Sequence, residues 1–444
     1  MPGGSAEPRD LAARLLASIE TRSAFSDKLL ATAFRERDLP PAARGRVTRL
    51  VKGVLRRRGE IDYLLASRLH ERLAGLPVLM RQILRLGVYQ LLDSDIPRPM
   101  VVDETVRLAT KYGHPGTVGL TNAVLRRLCD TEDLRSLLPQ GDDPASVAAR
   151  TSHPEWMVER WMARLGRDAT MRVLDSNLRE RPTFLRPNPM RGGLAALRAR
   201  LEVEGVAHDV HGPTGLVRVD ERFAPPDSEA FVAGLGTAQD PSEFLVVRLC
   251  GARAGQRWLD LCCAPGGKQT GLAEGMGDEG AVVGCDLHPS RLRRARENAA
   301  RLGTPGLSYV AADGARPPFR APSRFDGVLV DAPCSGLGVL ARRADARWRK
   351  EPALLASLPP LQRSLVDSAA GLLGPGGVLV YSVCSFEPEE TTDLVGGFLA
   401  AHPEFRLDDA SPRVGAAYTV DGCYRVLPGQ DDMDGAFAAR MVRA

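Results

Sequence analysis

Two cysteines near the C-terminal end of the chain each follow a short apolar run, and both could take part in one reaction. Cys334 lies in the sequence VLVDAPCSGLG and Cys384 in the sequence YSVCS. The preceding runs, residues 327–330 and 378–381, are rich in Val and Leu and predict buried strands. Because ligands bind an open α/β sheet at the carboxyl ends of its strands, we expect both thiols in a single site.

A thiolate beside a carboxylate suits methyl transfer to carbon 5 of a cytosine. That carbon becomes a nucleophile only when a thiolate adds to carbon 6 and converts the ring into an enamine. One cysteine would be the nucleophile, and a second group would assist loss of the carbon 5 proton, while Asp331 could hydrogen-bond or protonate the N3 edge. The alternative, that both cysteines are small core residues, is weak for Cys334 and stays open for Cys384.

A glycine-rich turn stands between the first strand and the first helix predicted for the same sheet. It reads DLCCAPGGK over residues 260–268, where glycine lets the backbone approach a ligand and the following helix offers free amides. The spacing matches neither a dinucleotide loop nor a Walker A loop. Asp286 closes the next strand, where a carboxylate can accept both hydroxyls of a ribose, and Asp313-Gly314 closes a third strand.

These residues together describe a nucleoside pocket without a cradle for phosphates, which fits S-adenosyl-L-methionine. Taken singly, an aspartate at the end of a strand is often only a helix cap or a turn former. Three such residues after successive strands, Asp260, Asp286 and Asp313, favour the binding interpretation.

Composition narrows the class of protein. The chain has 444 residues, 44% of them hydrophobic and 26% charged, which predicts a globular protein of two or three domains. No apolar stretch approaches the length that crosses a bilayer, and the sequence MPGGSAEPRD lacks the order of a signal peptide, so we expect a cytoplasmic protein. A monomer is the default oligomeric state.

Cysteine and histidine usage argues against two further classes of site. Eight cysteines without a CxxC pair do not resemble a disulfide framework or a zinc site, so reduced thiols are expected. The seven histidines are scattered without the spacing of metal ligands, and no metal is predicted.

Positive charge is concentrated at the N-terminal end. Residues 1–135 contain 23 Lys and Arg against 16 Asp and Glu, although the whole chain carries a net charge of only +4. Such a surplus is typical of nucleic-acid binding, but a solvated helix face is an equally good interpretation. The predicted basic stripe consists of Arg44, Arg46, Arg49, Lys52, Arg56, Arg57 and Arg58.

The chain divides into three predicted domains. Residues 1–137 show apolar residues at three- and four-residue spacing and predict an all-α domain, with loops at the breaks that contain proline. Residues 138–237 mix helical patterns with a proline-rich extended stretch and predict a small α+β module. Residues 238–444 alternate short apolar runs with helical patterns, which predicts a mostly parallel, doubly wound α/β sheet.

Three motifs together resemble the signature motifs of the RNA cytosine-C5 methyltransferases of the NOL1/NOP2/Sun superfamily, namely DLCCAPGGK, DAPCSGLG and YSVCSFEPEE. The segments RLVKGVLRRRGEIDYLL, LRLGVYQLL and TNAVLRRL resemble the NusB RNA-binding fold. With SHPEWMVERW, RPTFLRPN and QDPSE, the combination resembles the RsmB (Fmu/Sun) family over nearly the whole chain. The resemblance implies a NusB-like helical domain, a small RNA-binding linker module and a Rossmann-like methyltransferase domain.

The resemblance also implies a reaction and its partners. S-adenosyl-L-methionine would methylate carbon 5 of one cytosine, cytosine 967 of 16S rRNA, in ribosomal RNA or in a small-subunit assembly intermediate. Cys384 matches the nucleophile of the family and Cys334 the cysteine that helps product release, while Lys268 and Asp331 match positions near the target base. The positions matched to the cofactor pocket are Asp260, Cys262, Ala264, Pro265, Gly266, Gly267, Lys268, Asp286, Arg291, Asp313, Gly314, Asp331 and Pro333.

Two alternative functions stay open. A tRNA cytosine-C5 methyltransferase would carry the same catalytic motifs, and only the N-terminal domain argues for ribosomal RNA. A non-catalytic RNA-binding or antitermination factor would need only the NusB-like fold, and the intact cofactor loop with both cysteines argues against it.

A polar stretch between the two cysteine motifs resembles a substrate contact. Arginine can hold phosphate and tryptophan can stack on a splayed base. For Trp348 a packing role in a helix is an equal alternative. The stretch consists of Arg342, Arg343, Asp345, Arg347 and Trp348.

Overall fold

The computed structural model describes residues 6–22, 24–69, 72–220, 223–277, 279–304, 306–319 and 325–444. The chain forms two compact units. Unit 1 contains Met1–Arg179 and Arg343–Lys350, and unit 2 contains Glu180–Arg342 and Glu351–Ala444. The described part of the chain has no helix both long and apolar enough to span a lipid bilayer.

Ten α-helices occupy the described part of the first 179 residues. They are α1 (Ala6–Arg22), α2 (Ser26–Glu36), α3 (Pro41–Arg56), α4 (Arg58–Ala66), α5 (Val78–Asp93), α6 (Arg98–Tyr112), α7 (Pro115–Cys129), α8 (Pro144–Thr151), α9 (Glu155–Leu165) and α10 (Arg167–Leu178). Proline begins α3 and α7, because its fixed φ suits the first turn and its missing N–H is not needed there. At the start of α7, the N–H of His114 donates to the hydroxyl of Thr117 at 3.1 Å. The predicted helical domain is confirmed.

Apolar residues at helical spacing pack unit 1 around one large core. Val51, Ile83 and Leu125, from three different helices, are all buried there. Ala344 joins the same core from Arg343–Lys350, a segment more than 200 residues further along the chain. The helical core is therefore completed by a piece of sequence that follows the first cysteine motif.

A small antiparallel sheet begins unit 2. Its elements and those that follow are β1 (Thr183–Pro187), α11 (Gly193–Val203), β2 (His208–Val210), β3 (Val217–Val219), α12 (Glu229–Val232), β4 (Gly236–Ala238) and α13 (Pro241–Cys250). The strand order is β2-β3-β1-β4, with every pair antiparallel. Leu185 and Val217 of the sheet share a core with Leu197 of α11. The predicted α+β content is confirmed.

The rest of the chain supplies the large sheet and its helices. The elements are β5 (Arg257–Asp260), α14 (Gly267–Gly275), β6 (Ala281–Asp286), α15 (Pro289–Leu302), β7 (Leu307–Ala311), β8 (Phe325–Asp331), α16 (Ala344–Arg347), α17 (Leu354–Ser357), α18 (Pro359–Ala370), β9 (Leu373–Val383), α19 (Thr392–Ala401), β10 (Phe405–Asp408), α20 (Ser411–Val414), β11 (Thr419–Val420), β12 (Cys423–Val426) and β13 (Ala436–Arg443). The five apolar runs predicted as strands are β5 to β9. Val328 to Val330 of β8 are completely buried, as expected for strands covered on both faces.

The large sheet is parallel on one side and antiparallel on the other. Its order is β11-β12-β13-β9-β8-β5-β6-β7, and β10 pairs with β13. Strands β5 to β9 pair in parallel, whereas the pairs that involve β10 to β13 are antiparallel. The prediction of a mostly parallel sheet therefore holds for β5 to β9 and misses the C-terminal strands. Strand β13 reads AFAARMVR, which favours a helix by propensity, and its pairing with β9 and β10 overrides that preference.

The connection between β8 and β9 passes through both units. We call residues 331–342 the site loop and Arg343–Lys350 the insert. The site loop belongs to unit 2, the insert belongs to unit 1, and the chain is again part of unit 2 from Glu351. The domain boundaries predicted at residues 137 and 237 stay a prediction.

Candidate active site

The carboxyl ends of five parallel strands carry predicted site residues. Asp260 closes β5, Asp286 closes β6 and Asp331 closes β8. Cys384 directly follows β9, and Asp313 follows β7 by two residues. Because the strand order here is β9-β8-β5-β6-β7, these ends lie along one edge of the sheet.

The two predicted cysteines meet at this edge. The sulfur atoms of Cys334 and Cys384 are 3.1 Å apart. The N–H of Ala332 donates to the carbonyl of Ser382 at 2.9 Å, and the N–H of Gly338 donates to the carbonyl of Cys384 at 3.0 Å. A Cβ at Gly338 would lie only 3.0 Å from that carbonyl oxygen, so glycine permits the close approach of the two loops.

The proximity of the thiols changes the acidity of one of them. The hydrogen bond with Cys384, and then burial, raises the pKa of the Cys334 thiol well above its ordinary value. Cys334 therefore keeps its proton at neutral pH. Both side chains remain partly accessible. The structure brings the two cysteines together, while their separate roles stay a prediction.

An ion pair lies at the end of β8. The Nζ of Lys268 is 2.8 Å from Oδ2 of Asp331 and 3.7 Å from Oε1 of Glu243. Burial alone would lower the pKa of the Lys268 ammonium, but the two carboxylates outweigh burial and raise it. The hydroxyl of Ser382 donates to Oδ1 of Asp331 at 2.8 Å. The Asp331 side chain is 33% exposed, so its oriented carboxylate can still meet a ligand.

Asp260 is a buried carboxylate with unused capacity to accept hydrogen bonds. It is 1% exposed, and within the described residues neither oxygen has a hydrogen-bond partner of good geometry. Burial, together with the like charge of Asp331, raises the pKa of Asp260 to about 8, although Lys268 acts in the opposite direction. Ionisation of this carboxyl group costs free energy until a cation or a hydrogen-bond donor approaches it.

The turn between β5 and α14 depends on glycine. Gly266 has a φ of 100°, and a Cβ there would lie 3.0 Å from the Cβ of Ala295. Arg291 supports the turn from α15, because it donates to the carbonyl of Ala264 at 2.7 Å and pairs with Asp286 at 3.4 Å. Gly267 begins α14, whose first amides have no partner within the helix.

The other predicted cofactor positions have mixed surroundings. Asp286 is buried, and its Oδ1 accepts from the N–H of His288 at 2.9 Å. Asp313 is exposed and accepts from the N–H of Ala315 at 2.9 Å, as a turn former does. The remaining four residues differ in exposure: Cys262 is half-buried, Pro265 and Pro333 are exposed, and Gly314 is buried.

Arg347 corrects the expectation that the insert contacts substrate. Its side chain is 0% exposed. Its guanidinium donates to the backbone carbonyls of Arg56 at 3.3 Å, Ser152 at 2.7 Å and Asn177 at 2.9 Å. These donors are used inside unit 1, so Arg347 is a packing residue.

The neighbours of Arg347 in the insert are also occupied. Trp348 donates its indole N–H to the carbonyl of Leu55 at 3.0 Å, which supports the packing interpretation of this residue. The buried carboxylate of Asp345 accepts from the hydroxyl of Ser26 at 3.0 Å. Arg343, by contrast, is exposed. A sequence pattern that suits RNA is here used mainly to complete a helical core.

Three of the seven residues of the predicted basic stripe form ion pairs within unit 1. Arg46 and Arg49 are exposed on α3. Among the described residues, ion pairs join Lys52 to Asp27, Arg57 to Glu60 and Asp93, and Arg58 to Asp62. The positive surface is therefore smaller than the sequence indicates.

Four polar residues behind the cysteines were not singled out by the sequence analysis. Ser335, Gln362, Ser385 and Glu390 are all buried. Two of them directly follow the cysteines, and Glu390 ends the acidic sequence EPEE after the second motif. Their sequence positions give a weak signal, because Ser and Glu in such places are usually exposed.

Three family models match the chain. The model for the 16S rRNA methyltransferase RsmB/F matches residues 248–442, and the model for the NusB family matches residues 6–130. The model for the Methyltr_RsmF/B-like, ferredoxin-like domain matches residues 153–220. These matches confirm the predicted fold class, with a NusB-like domain, a small domain and a methyltransferase domain in that order.

Relatives resemble the chain over almost its full length. The probable ribosomal RNA small subunit methyltransferase B of Bacillus subtilis is 31% identical over 98% of each chain. The protein of the same description from Synechocystis sp. is 32% identical over 98% of this chain and 99% of its own.

Two solved structures share the fold. PH0851 superposes with a TM-score of 0.81 at 24% identity, over 98% of this chain and 99% of its own. NSun6 from Pyrococcus horikoshii, solved with SFG, superposes with a TM-score of 0.58 at 18% identity, over 64% of this chain and 97% of its own.

Proposed function

This chain belongs to the RsmB family of ribosomal RNA small subunit methyltransferases, and from that premise we propose that it methylates carbon 5 of one cytosine in 16S rRNA. One observation carries the proposal: the thiols of Cys334 and Cys384 are 3.1 Å apart at the sheet edge that also holds the Lys268–Asp331 ion pair. Addition to a cytosine ring requires a thiolate, and a nearby acid or base assists it. The family resemblance points to cytosine 967 as the target.

S-adenosyl-L-methionine is the cofactor, and it supplies an electrophilic methyl group. The residues present fit this cofactor, because the buried carboxylate of Asp260 lacks a well-placed donor among the described residues and can meet a cationic ligand. Asp286 would accept the ribose hydroxyls, and Asp313 would lie near the adenine. Gly266 and Gly267 would let the backbone pass close to the methionine end.

Cys384 forms the covalent bond to the base in this mechanism. Its thiol would pass its proton to solvent, its sulfur would bond to carbon 6, and carbon 5 would become the nucleophile that takes the methyl group as the bond from that methyl group to the cofactor sulfur breaks. Lys268 and Cys384 interact electrostatically across the site. The target cytosine must be unstacked from its neighbours to reach this thiol.

Asp331 orients the base. One carboxylate oxygen accepts from Ser382 and the other from Lys268, so the group is fixed before substrate arrives. The amino group beside N3 of the cytosine could donate to this carboxylate and hold the ring, and a proton delivered to N3 as the thiolate adds would draw electron density away from carbon 6. The remaining exposure of the side chain leaves room for that contact.

Cys334 completes the cycle. After methyl transfer, carbon 5 carries both the new methyl group and its original proton. When that proton leaves, the bond between carbon 6 and the Cys384 sulfur breaks, and the aromatic ring is restored. The Cys334 sulfur lies 3.1 Å from that of Cys384, so after its own proton has passed to water its thiolate would be placed to accept the carbon 5 proton.

The other domains would hold the RNA. We assign binding of folded 16S rRNA, or of a small-subunit assembly intermediate, to the NusB-like domain of residues 1–137 and the linker module of residues 138–237. The exposed Arg46 and Arg49 of α3 are candidates for phosphate contacts. Residues 238–444 would carry out the reaction, and a cytoplasmic monomer stays the prediction.

The test uses purified protein, methyl-labelled S-adenosyl-L-methionine and unmodified 16S rRNA, tRNA or small-subunit particles, followed by mapping of 5-methylcytosine. A single labelled cytosine in 16S rRNA, free or in particles, is the expected result. Label in tRNA alone would preserve the chemistry and overturn the substrate. Label in none of the three would overturn the enzymatic proposal.

The covalent step has its own test. Cys334→Ala should accumulate a protein–RNA adduct that survives denaturing electrophoresis, because the carbon 5 proton is no longer removed efficiently. If Cys334→Ala turned over normally without trapped RNA, Cys334 would not act in release.

A further inference from the structure

A buried hydrogen-bond network behind the two cysteines is centred on Glu390. The residue is fully buried, and its Oε1 accepts from the backbone N–H of Ser335 at 2.7 Å and from Nε2 of Gln362 at 3.0 Å. Its Oε2 accepts from the hydroxyl of Ser335. Three donors that point at two oxygens suit an ionised carboxylate, whose hydrogen bonds are stronger than those of a neutral acceptor.

This network holds the chain on both sides of Cys334. Ser335 is the next residue, and it gives Glu390 both its backbone N–H and its hydroxyl. The amide of Gln362 that donates to Glu390 also donates to the carbonyl of Pro333 at 3.0 Å. Glu390 therefore fixes the residue after Cys334 directly and the residue before it through one intermediary.

The same network reaches Cys384. The hydroxyls of Ser335 and Ser385 are 3.1 Å apart, and the N–H of Glu387 donates to the hydroxyl of Ser385 at 3.3 Å. A consistent order of donors runs from Glu387 to Ser385, from Ser385 to Ser335 and from Ser335 to Glu390. The residues that directly follow the two cysteines are thus joined to each other and to one carboxylate.

We propose that Glu390 is a positioning residue that sets the distance between the thiols of Cys334 and Cys384. A buried carboxylate with three hydrogen bonds resists displacement, because movement of the Cys334 loop would leave the carboxylate without donors and movement of the Cys384 loop would break the contact between the Ser335 and Ser385 hydroxyls. The consequence for product release rests on the proposed function, since it requires Cys334 to act on the adduct of Cys384. The consequence for the distance between the thiols does not.

The first experiment needs no substrate. Diamide takes two electrons and two protons from a pair of neighbouring thiols, so that a disulfide forms and diamide is reduced to the hydrazine. Its rate of linking Cys334 to Cys384 is followed by alkylation of the remaining thiols and mass spectrometry of the linked peptides. Glu390→Ala should slow this linkage by about tenfold or more, because Ser335, which bridges to Ser385, loses the acceptor that holds it in place.

Two conservative variants separate positioning from general stability. Glu390→Gln should stay within about threefold of the wild-type rate, because its carboxamide oxygen can replace Oε1 and its NH₂ can donate to the Ser335 hydroxyl. Ser335→Ala removes the bridge to Ser385 while keeping the backbone bond to Glu390, and should slow linkage about threefold. Asp393→Ala, which changes an exposed carboxylate three residues away, is the control and should leave the rate unchanged.

The outcomes distinguish this inference from the function on which its second consequence rests. Equal linkage rates in wild type and a folded Glu390→Ala would overturn the positioning role, and if Glu390→Ala does not fold, an unchanged rate in Ser335→Ala would do the same. With labelled cofactor and 16S rRNA, Glu390→Ala should trap about tenfold more adduct than wild type, and Glu390→Gln should restore release. Slower linkage without methylation by wild type would reject the function and retain the positioning role.

Discussion

The site loop and the insert are consecutive parts of one connection, yet they use polar side chains in opposite ways. In the site loop, Asp331 and Cys334 are partly exposed and keep capacity for a ligand. In the insert, Arg347 is fully buried, and its two terminal nitrogens donate to three backbone carbonyls. Residue type alone therefore does not separate a binding residue from a packing residue. The two kinds of residue are distinguished by the groups to which the side chain is already hydrogen-bonded.

Two arginines show the same contrast in electrostatic terms. Arg342, at the end of the site loop, lies 2.7 Å from Asp240 and 2.6 Å from Asp434. Burial opposes its charge, but the two carboxylates raise its pKa. Five residues later, Arg347 has no carboxylate partner among the described residues, and burial lowers its pKa to about 9. The half-buried cation of Arg342 is balanced by carboxylates, and the fully buried cation of Arg347 is balanced by carbonyl dipoles.

The largest effect is expected at Cys384, whose side chain is partly accessible. Cys384→Ala should lower single-turnover methyl transfer to 16S rRNA by at least about a thousandfold, because it removes the proposed nucleophile. The free energy of unfolding, measured in urea, should change by less than about 1.5 kcal/mol. Activity above a tenth of the wild-type rate would mean that another group forms the adduct and that Cys384 is not the nucleophile.

Replacing each of the two arginines by methionine should give two variants whose free energies of unfolding depend differently on pH. Arg342→Met leaves Asp240 and Asp434 as a buried pair of like charges, and should cost about 3–5 kcal/mol at pH 8. Burial, with the charge of Asp240, already raises the pKa of Asp434 to about 7, and loss of Arg342 raises it further. A carboxyl whose pKa rises on folding binds a proton that the unfolded chain has released, so stability falls as pH increases toward the raised value.

Arg347→Met is the matched variant for that measurement. It leaves neutral carbonyls without donors and should cost about 3 kcal/mol. Relative to wild type, this cost should be constant between about pH 7 and pH 8, whereas Arg342→Met should lose up to about 1.4 kcal/mol per pH unit for each extra proton bound. His153, whose pKa burial and Arg347 lower, titrates below this range in the folded state. If the stability of the two variants depended equally on pH, the proposed electrostatic difference between the surroundings of Arg342 and Arg347 would be wrong.

The sequence predicts the elements of the site better than their surroundings. Strands β5 to β9 are continuous apolar runs that end in polar motifs, and parallel pairing places those ends together, so the meeting of Cys334 and Cys384 could be foreseen. The burial of Arg347 could not be foreseen, because its partners lie about 170 to 290 residues away in the sequence and follow from tertiary packing alone. Glu390 was missed because a surface position is the usual one for Glu.

A smaller effect should test whether the buried carboxyl group of Asp260 ionises when its ligand binds. Because the pKa of Asp260 is about 8, most of the carboxyl is protonated at pH 7. A cationic cofactor favours the ionised form, so binding of S-adenosyl-L-methionine should release close to one proton per site. Calorimetry in buffers of different ionisation enthalpy measures this number. Asp260→Asn should abolish the release and weaken binding about tenfold, and unchanged release in that variant would assign the proton to another group.

The smallest effect should come from the insert residue that most resembles an RNA contact. Trp348→Phe keeps an aromatic ring near Arg58, whose guanidinium lies 5.3 Å from the indole ring, but removes the N–H that satisfies the carbonyl of Leu55. We expect a loss of about 1 kcal/mol in the free energy of unfolding and unchanged affinity for 16S rRNA. Arg343→Ala, at an exposed position of the same segment, should change stability by less than about 0.5 kcal/mol. Weaker RNA binding by Trp348→Phe at unchanged stability would place substrate on the insert, and the distinction between the two stretches would fail.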